Sequence, residues 1–341
     1  MSLACDRADE IAPALVRQRA GRPRAVPILR SGVLAREVCR RGGRGEVAAV
    51  FARSLFLRFG DAFVCIGEPA IGNGPSTLII AAPPARLGVR QGQSVLLAQQ
   101  RVAIGDLRFD LDGCETWRPP AWPAVSSPAE LLETCGILAR RAATDSPADG
   151  LARAIFAAGE TPLARLARPR VLRFETWLSE QIDASSCPAQ AGHPVIRSAD
   201  ISSQARWLLD RPLARTMTSD ELAVDPVSGL VGLGPGLTPS GDDFLIGALA
   251  ALDAVRQTKT HAALGEAVAA AAPARTSPLS ASFLRAAAAG HAGENLHALV
   301  AAVVGGHLDA AAAAAGRIGH TSGWDTLAGV ALTLRVVAKE M

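Results

Sequence analysis

Thr116-Trp117-Arg118-Pro119-Pro120-Ala121-Trp122-Pro123-Ala124-Val125-Ser126-Ser127-Pro128-Ala129-Glu130-Leu131-Leu132 is where the pattern of this chain changes. Four prolines within ten residues remove backbone donors and fix φ, so neither strand nor helix runs through them. Past the prolines a helix start is legible. Ser127 is its cap, Pro128 fits the first helical position, and Glu130 completes a capping box. The chain reads as helix after this point and as strand before it.

Upstream, the segments are short and bounded by turn formers. The expected strands are Glu46 to Phe51, Leu55 to Phe59, Ala62 to Ile66, Thr77 to Ala81, Ser94 to Ala98, Arg101 to Ile104 and Leu107 to Asp110. Gly42-Gly43, Gly60-Asp61, Gly72-Asn73-Gly74-Pro75, Pro83-Pro84, Gly92 and Gly105-Asp106 separate them. Six or seven strands with no helix between them predict a small barrel or sandwich. Downstream, helices are expected at 128–142, 148–158, 163–168, 171–182, 199–210, 241–256, 261–271, 279–289, 294–304, 307–315 and 323–338, with a loop from Asp183 to Pro194. Alanine-rich stretches such as 262–272 and 310–315 give small faces that permit close helix crossings. The expectation is an α+β protein: residues 1–25 a poorly ordered or weakly helical arm, 26–118 β-rich, and 127–341 mainly helical.

With 341 residues the chain can hold two domains, and 49% hydrophobic with 20% charged residues is a globular composition. A net charge of +3 gives no argument for nucleic acid. Lys259 and Lys339 are the two lysines, and neither stands in a Gly-Lys-Ser/Thr phosphate loop. Cys5, Cys39, Cys65, Cys114, Cys135 and Cys187 are scattered without a C-x-x-C pair, which argues against a zinc ribbon or a disulfide framework. The first 24 residues carry Asp6, Asp9, Glu10 and several arginines, unlike a signal peptide. No membrane-spanning run is present. A cytoplasmic protein without membrane partner is expected.

The densest chemical signal is Gly232-Leu233-Gly234-Pro235-Gly236-Leu237-Thr238-Pro239-Ser240-Gly241-Asp242-Asp243-Phe244-Leu245. Its glycines permit positive φ and leave amides uncovered, and the loop feeds a helix start, a combination that favours an anion. Thr238 and Ser240 add hydroxyls. Asp242 and Asp243 add acceptors, and magnesium is the one cofactor they leave open. The plainer alternative makes Ser240 an N-cap with Asp243 closing a capping-box-like turn. A second segment repeats the first: Ser240-Gly241-Asp242-Asp243-Phe244-Leu245-Ile246-Gly247 aligns with Ser322-Gly323-Trp324-Asp325-Thr326-Leu327-Ala328-Gly329, both S-G-x-D-x-L-x-G. Glycine inside each helix costs about 1 kcal/mol relative to alanine, for which a tight crossing is a cause. The two helix starts are expected side by side, forming one anion-binding cleft. His320, just ahead of the second copy, is either a general acid/base or a loop histidine satisfied by backbone. The candidate catalytic residues are therefore His320, Ser240, Asp243 and Asp325. The candidate anion-binding residues are Gly234, Gly236, Thr238, Gly241, Asp242, Thr321, Ser322 and Gly323.

Weaker signals surround these. Thr276-Ser277-Pro278-Leu279-Ser280 is a further hydroxyl-rich helix start beside Arg275. His291, Glu294 and His297 sweep around a helix rather than keeping one face, which argues against a metal site. Gly72-Asn73-Gly74-Pro75 reads as a hairpin turn, or as a loop reaching into the cleft.

Gly232 to Leu245, taken with Ile318-Gly319-His320-Thr321-Ser322-Gly323-Trp324-Asp325-Thr326-Leu327-Ala328-Gly329, resembles a bacterial family long carried as a domain of unknown function. Its placed members are the AllH subunit of the oxamate carbamoyltransferase of allantoin breakdown, a branch of purine degradation. The resemblance runs from about residue 30 to 338 and includes the Asn73-Gly74-Pro75 turn. It implies a transferase that interconverts oxalurate and phosphate with oxamate and carbamoyl phosphate, working with other kinds of subunit. It transfers no catalytic residue. Three readings stay open: a substrate-binding or catalytic subunit acting on a small carboxylate amide, a non-catalytic scaffold subunit, and a nucleotide- or CoA-binding module.

Overall fold

Alternation makes the strands of the N-terminal half. In β6 (Ser94–Ala98), Val95 and Leu97 point inward while Ser94, Leu96 and Ala98 are exposed. The computed structural model describes residues 23–186 and 225–341; the expected helix 199–210, nearly all of the expected arm and the 187–194 part of the expected loop fall outside them. Strands β1 (Arg24–Gly32), β2 (Gly43–Val50), β3 (Ser54–Phe59), β4 (Ala62–Gly67), β5 (Thr77–Ile80), β6, β7 (Arg101–Ile104), β8 (Leu107–Asp110) and β9 (Glu115–Trp117) form one sheet in the order β5-β4-β3-β2-β6-β7-β8-β1-β9. A further antiparallel pairing of β1 with β5, Ile28 opposite Ile80, closes eight of these strands into a barrel. Closure leaves no long free edge, and it decides between the two expected architectures. β1 runs parallel to β8 in its first half and parallel to β9 in its second, so β9 continues the edge that β8 begins.

Three elements of the barrel correct the sequence reading. α1 (Val33–Arg41) is a helix where none was expected. Ala35 and Cys39, four residues apart, are its buried positions, and Arg36, Arg40 and Arg41 dilute the apolar pattern. β1 has no alternation to read, because its burial changes along its length as its partners change. β9 is three residues long. The barrel is filled by Leu55, Leu57, Val64, Ile66, Leu78, Ile80, Val95, Leu97, Val102, Ile104 and Phe109, with Ala35 and Cys39 of α1 packed among them.

The helical half starts as read: Ser127 Oγ accepts from Glu130 N at 3.4 Å and Glu130 Oε2 accepts from Ser127 N at 3.0 Å, capping α2 (Pro128–Asp145). α3 (Leu151–Phe156) follows. α4 (Pro162–Ser186) is one helix where two were expected, with Pro169 inside it and its last turn covering the start of the expected loop. A proline there costs about 3 kcal/mol or more, but Ala164, Ala167, Val171, Phe174, Leu178 and Ile182 form a buried stripe across it that outweighs the loss. Then come α5 (Ser240–Ala254), α6 (Thr258–Arg275), α7 (Pro278–Ala288), α8 (Glu294–Val304), α9 (Leu308–Ile318) and α10 (Ser322–Glu340). None of the described helices is long and apolar enough to cross a membrane.

α5 and α10 are the central pair, buried along most of their length and flanked by the two apolar clusters of this half. Their glycines are reciprocal. A Cβ on Gly247 would land on the carbonyl oxygen of Thr326, and one on Gly329 would land on the carbonyl oxygen of Phe244. Thr326 and Phe244 each stand four residues after the serine of their own repeat. The S-G-x-D-x-L-x-G copies thus cross by the same contact made twice, the tight crossing that their glycines imply.

Barrel and helices meet at the Asn73 turn and at the start of α8. Glu294 N donates to Asn73 O at 2.8 Å, and Asn295 Nδ2 donates to Ile71 O at 3.2 Å. Phe56 of β3 meets Phe283 of α7 edge-on at 6.0 Å. The Asn73 turn joins β4 to β5, which pair parallel, so it is part of a crossover and not a hairpin turn.

Candidate functional site

The crossing of α5 and α10 brings both repeat starts to one place. Each serine faces the aspartate of the other copy, Ser322 beside Asp243 and Ser240 beside Asp325. Thr238 Oγ1 lies 3.4 Å from Ser322 Oγ. Burial pushes Asp243 up to about 8. The Ser322 hydroxyl works against that shift, and the Asp325 and Asp242 charges add to it. Burial likewise raises Asp325 to about 6, opposed by the Ser240 hydroxyl and by the Ala152 and Leu151 amides, with Asp149 adding to the rise. Ala152 N donates to Asp325 Oδ1 at 2.8 Å, so Asp325 also receives the start of α3.

Asp242 has a different task. Its carboxylate accepts from Gly232 N at 2.7 Å, from Ser280 Oγ at 2.6 Å and from Thr276 Oγ1. Three donors on one fully buried carboxylate tie the glycine-rich turn to the α6–α7 junction. The hydroxyl-rich stretch Thr276 to Ser280 therefore serves Asp242, and Ser277 caps α7 by accepting from Ser280 N at 3.1 Å. Arg275 is exposed beside it.

The amides expected to be free are largely occupied. Leu233 N bonds Leu230 O, Gly241 N bonds Leu233 O at 2.8 Å, Asp242 N and Asp243 N both bond Pro239 O, and Gly323 N bonds Gly319 O at 3.3 Å. Gly234 and Gly236 keep free amides among the described residues, on a stretch of turn that faces solvent. Gly232 has φ +75° and no room for a Cβ against Arg275 O, so the turn demands glycine for its path. Ser240 is not the N-cap: Pro239 holds that position, and no side chain caps the helix. The capping-box alternative falls with it.

In front of the two starts lies a cavity of about 330 Å³ at the junction of barrel and helices. Thr238, Asp243, Ser322 and Thr326 form its motif wall, and Asn73, Gly74 and Pro75 form the barrel wall. His291, Glu294, Asn295 and Arg317 add polar groups, and Phe56, Phe63, Ile246 and Phe283 add apolar ones. Arg317 Nε donates to Asn295 Oδ1 at 3.3 Å, and Arg317 makes no ion pair among the described residues. Asp243 Oδ2 and Asn73 Oδ1 are buried without a partner. This volume stands at the lower end of the roughly 300–1,000 Å³ of ligand pockets.

Of the sequence candidates, Thr238, Asp243 and Ser322 line the cavity. Ser240, Asp325, Gly241, Asp242 and Gly323 lie buried behind it, and Thr321 packs over Gly150. His320 is exposed and outside the lining. His291 and Glu294 reach the cavity, whereas His297 stacks on Trp122 at 4.1 Å. Among the described residues no three His, Cys, Asp or Glu side chains converge as metal donors. Sequence reasoning missed Arg317, one residue ahead of the second motif, and Thr326 inside it. Position in the motif was a signal for Thr326, and no sequence signal marked Arg317.

The sequence matches the family model of oxamate carbamoyltransferase subunit AllH over residues 230–334 and the AllH family N-terminal domain over residues 28–116. No curated protein and no solved structure matches the chain. Every residue lining the cavity falls inside one match or the other, and the two together take in more than half of the chain. The chain belongs to the AllH family of carbamoyltransferase subunits.

Proposed function

We propose that this chain provides the pocket for a small carboxylate amide, of the oxamate or oxalurate kind, in a multi-subunit carbamoyltransferase. The observation that carries the reading is the cavity at the two repeat starts. It is closed on one side by hydroxyls and a carboxyl and flanked by the exposed Arg317, which makes no ion pair among the described residues. Thr238 and Ser322 can donate hydroxyl hydrogen bonds to a ligand oxyanion, and Arg317 supplies the opposite charge. Asp243, pushed up to about 8, is mostly protonated at neutral pH and donates rather than repels. In a carbamoyl transfer the amide nitrogen attacks the carbamoyl carbon, the bond from that carbon to the phosphate oxygen breaks, and the nitrogen loses a proton. The departing phosphate oxygen, basic once its bond to carbon breaks, can take that proton. The donors act from side chains, with the occupied helix-start amides behind them.

The scaffold reading draws on the buried, mutually bonded Ser240, Asp242 and Asp325 and on the apolar share of the walls. Calorimetric titration of the full chain with oxamate at pH 7 separates the two. Saturable binding, weakened at least tenfold in Arg317→Ala, supports the pocket. Absence of binding at millimolar oxamate removes it and leaves the scaffold.

A further inference from the structure

We infer that Asn73 reads the amide end of the ligand: its side-chain oxygen accepts an N–H of a primary amide, so the cavity prefers a small carboxylate amide to the matching dicarboxylate. The inference rests on the pocket reading above and adds which protein atom recognises which end of the ligand.

The orientation of the Asn73 amide follows from its neighbours. Glu294 Oε2 accepts from Asn73 N at 2.8 Å and therefore presents an acceptor to the Asn73 side chain. The group facing it at 2.6 Å is Nδ2, because a flipped amide would set oxygen against oxygen. Glu294 N closes the clamp by donating to Asn73 O at 2.8 Å. Three hydrogen bonds thus hold the residue, and the planar amide puts Oδ1 on the limb away from Glu294. Asn73 is 8% exposed and forms part of the cavity wall, and Oδ1 has no partner among the described residues. A buried acceptor left unmet is costly, and a ligand N–H there removes the cost.

The motif wall is complementary. Asp243 is 6% exposed with Oδ2 unpartnered, and the Ser322 hydroxyl stands beside it. The barrel wall offers an unmet acceptor at Asn73 Oδ1, and the motif wall offers donors. A molecule with NH₂ at one end and an oxyanion at the other satisfies both. A dicarboxylate satisfies the second and sets lone pairs against Asn73 Oδ1. Glu294 acts through Asn73 and is a positioning residue.

The test compares oxamate with oxalate, near-isosteres that differ in NH₂ against O⁻, by calorimetric titration of the full wild-type chain at pH 7. Oxamate is expected to bind at least tenfold more tightly. In Glu294→Gln the new amide can donate to Asn73 Oδ1, which frees Asn73 to turn. The preference is then expected to collapse toward unity with oxamate losing affinity, while Tm reports the fold. Equal affinities in the wild-type chain overturn the role of Asn73 and leave the pocket standing. Binding of neither compound overturns the pocket reading itself. An undiminished preference in a folded Glu294→Gln variant overturns the positioning role of Glu294.

Discussion

Asp243→Asn should flatten the pH dependence of stability, because the variant keeps the shape of the side chain and removes its charge. Asp243 stands at about 8 in the fold against an ordinary value of 3.8, chiefly through burial. Its folded pKa is raised, so between those values the folded state holds a proton that the unfolded state has lost. Its contribution is complete below about pH 4 and is lost as pH climbs toward 8. One proton of difference is worth about 1.4 kcal/mol for each pH unit. Asp325, raised to about 6, adds its own loss at the lower end of the window, and it is present in both proteins. Urea unfolding followed by circular dichroism at pH 5.5, 6.5 and 7.5 gives the comparison. The stability of wild type relative to Asp243→Asn should fall by about 2–3 kcal/mol across that range. Parallel curves for the two proteins would show that Asp243 is ionised in the fold, and the donor role given to it would go.

Three further outcomes follow from the packing. Gly247→Ala and Gly329→Ala each drive a methyl group into a carbonyl of the partner helix, so each should lower stability by about 1–3 kcal/mol or more in urea titrations. Similar losses from the two are expected, since the contacts are equivalent. Asp242→Ala strands three donors at the glycine-rich turn, and a loss of about 3–5 kcal/mol is expected in the same assay. Burial pushes the Cys39, Cys65 and Cys135 thiols up to about 12, so mass spectrometry should find these three unmodified by a thiol reagent at pH 8 until urea unfolds the chain.

Much of the architecture was legible because it is written in local patterns. β6, β7 and β8 fall where alternation and turn residues put them, and the capping box at Ser127 marks the first helix of the second half. What resisted reading depends on partners far away in sequence. β1 takes its shape from three other strands, and α4 continues through Pro169 because its apolar face is buried by other helices. The site divides the same way. The repeat showed that Ser240 and Ser322 start paired helices, and the Asn73 turn was flagged as a loop with reach. The free amides expected at the glycines were mostly taken by nearby carbonyls and by Asp242, contacts that arise only once the turn has folded back on itself. Arg317 and Glu294 became wall residues through the docking of barrel on helices, which no spacing records.

The reciprocity of α5 and α10 also bears on how the chain is made. A ribosome delivers α5 with its seam open, and four helices must follow before the true partner arrives. During that interval a second nascent α5 offers the same serine, aspartate and glycine as α10 does. Two unfinished chains can therefore zip together through α5 alone, each standing in for the other's missing half. A near-duplicate sequence that gives the mature protein its centre also makes the half-made protein sticky toward its own kind. Slow synthesis or crowded polysomes should turn that stickiness into tangled dimers.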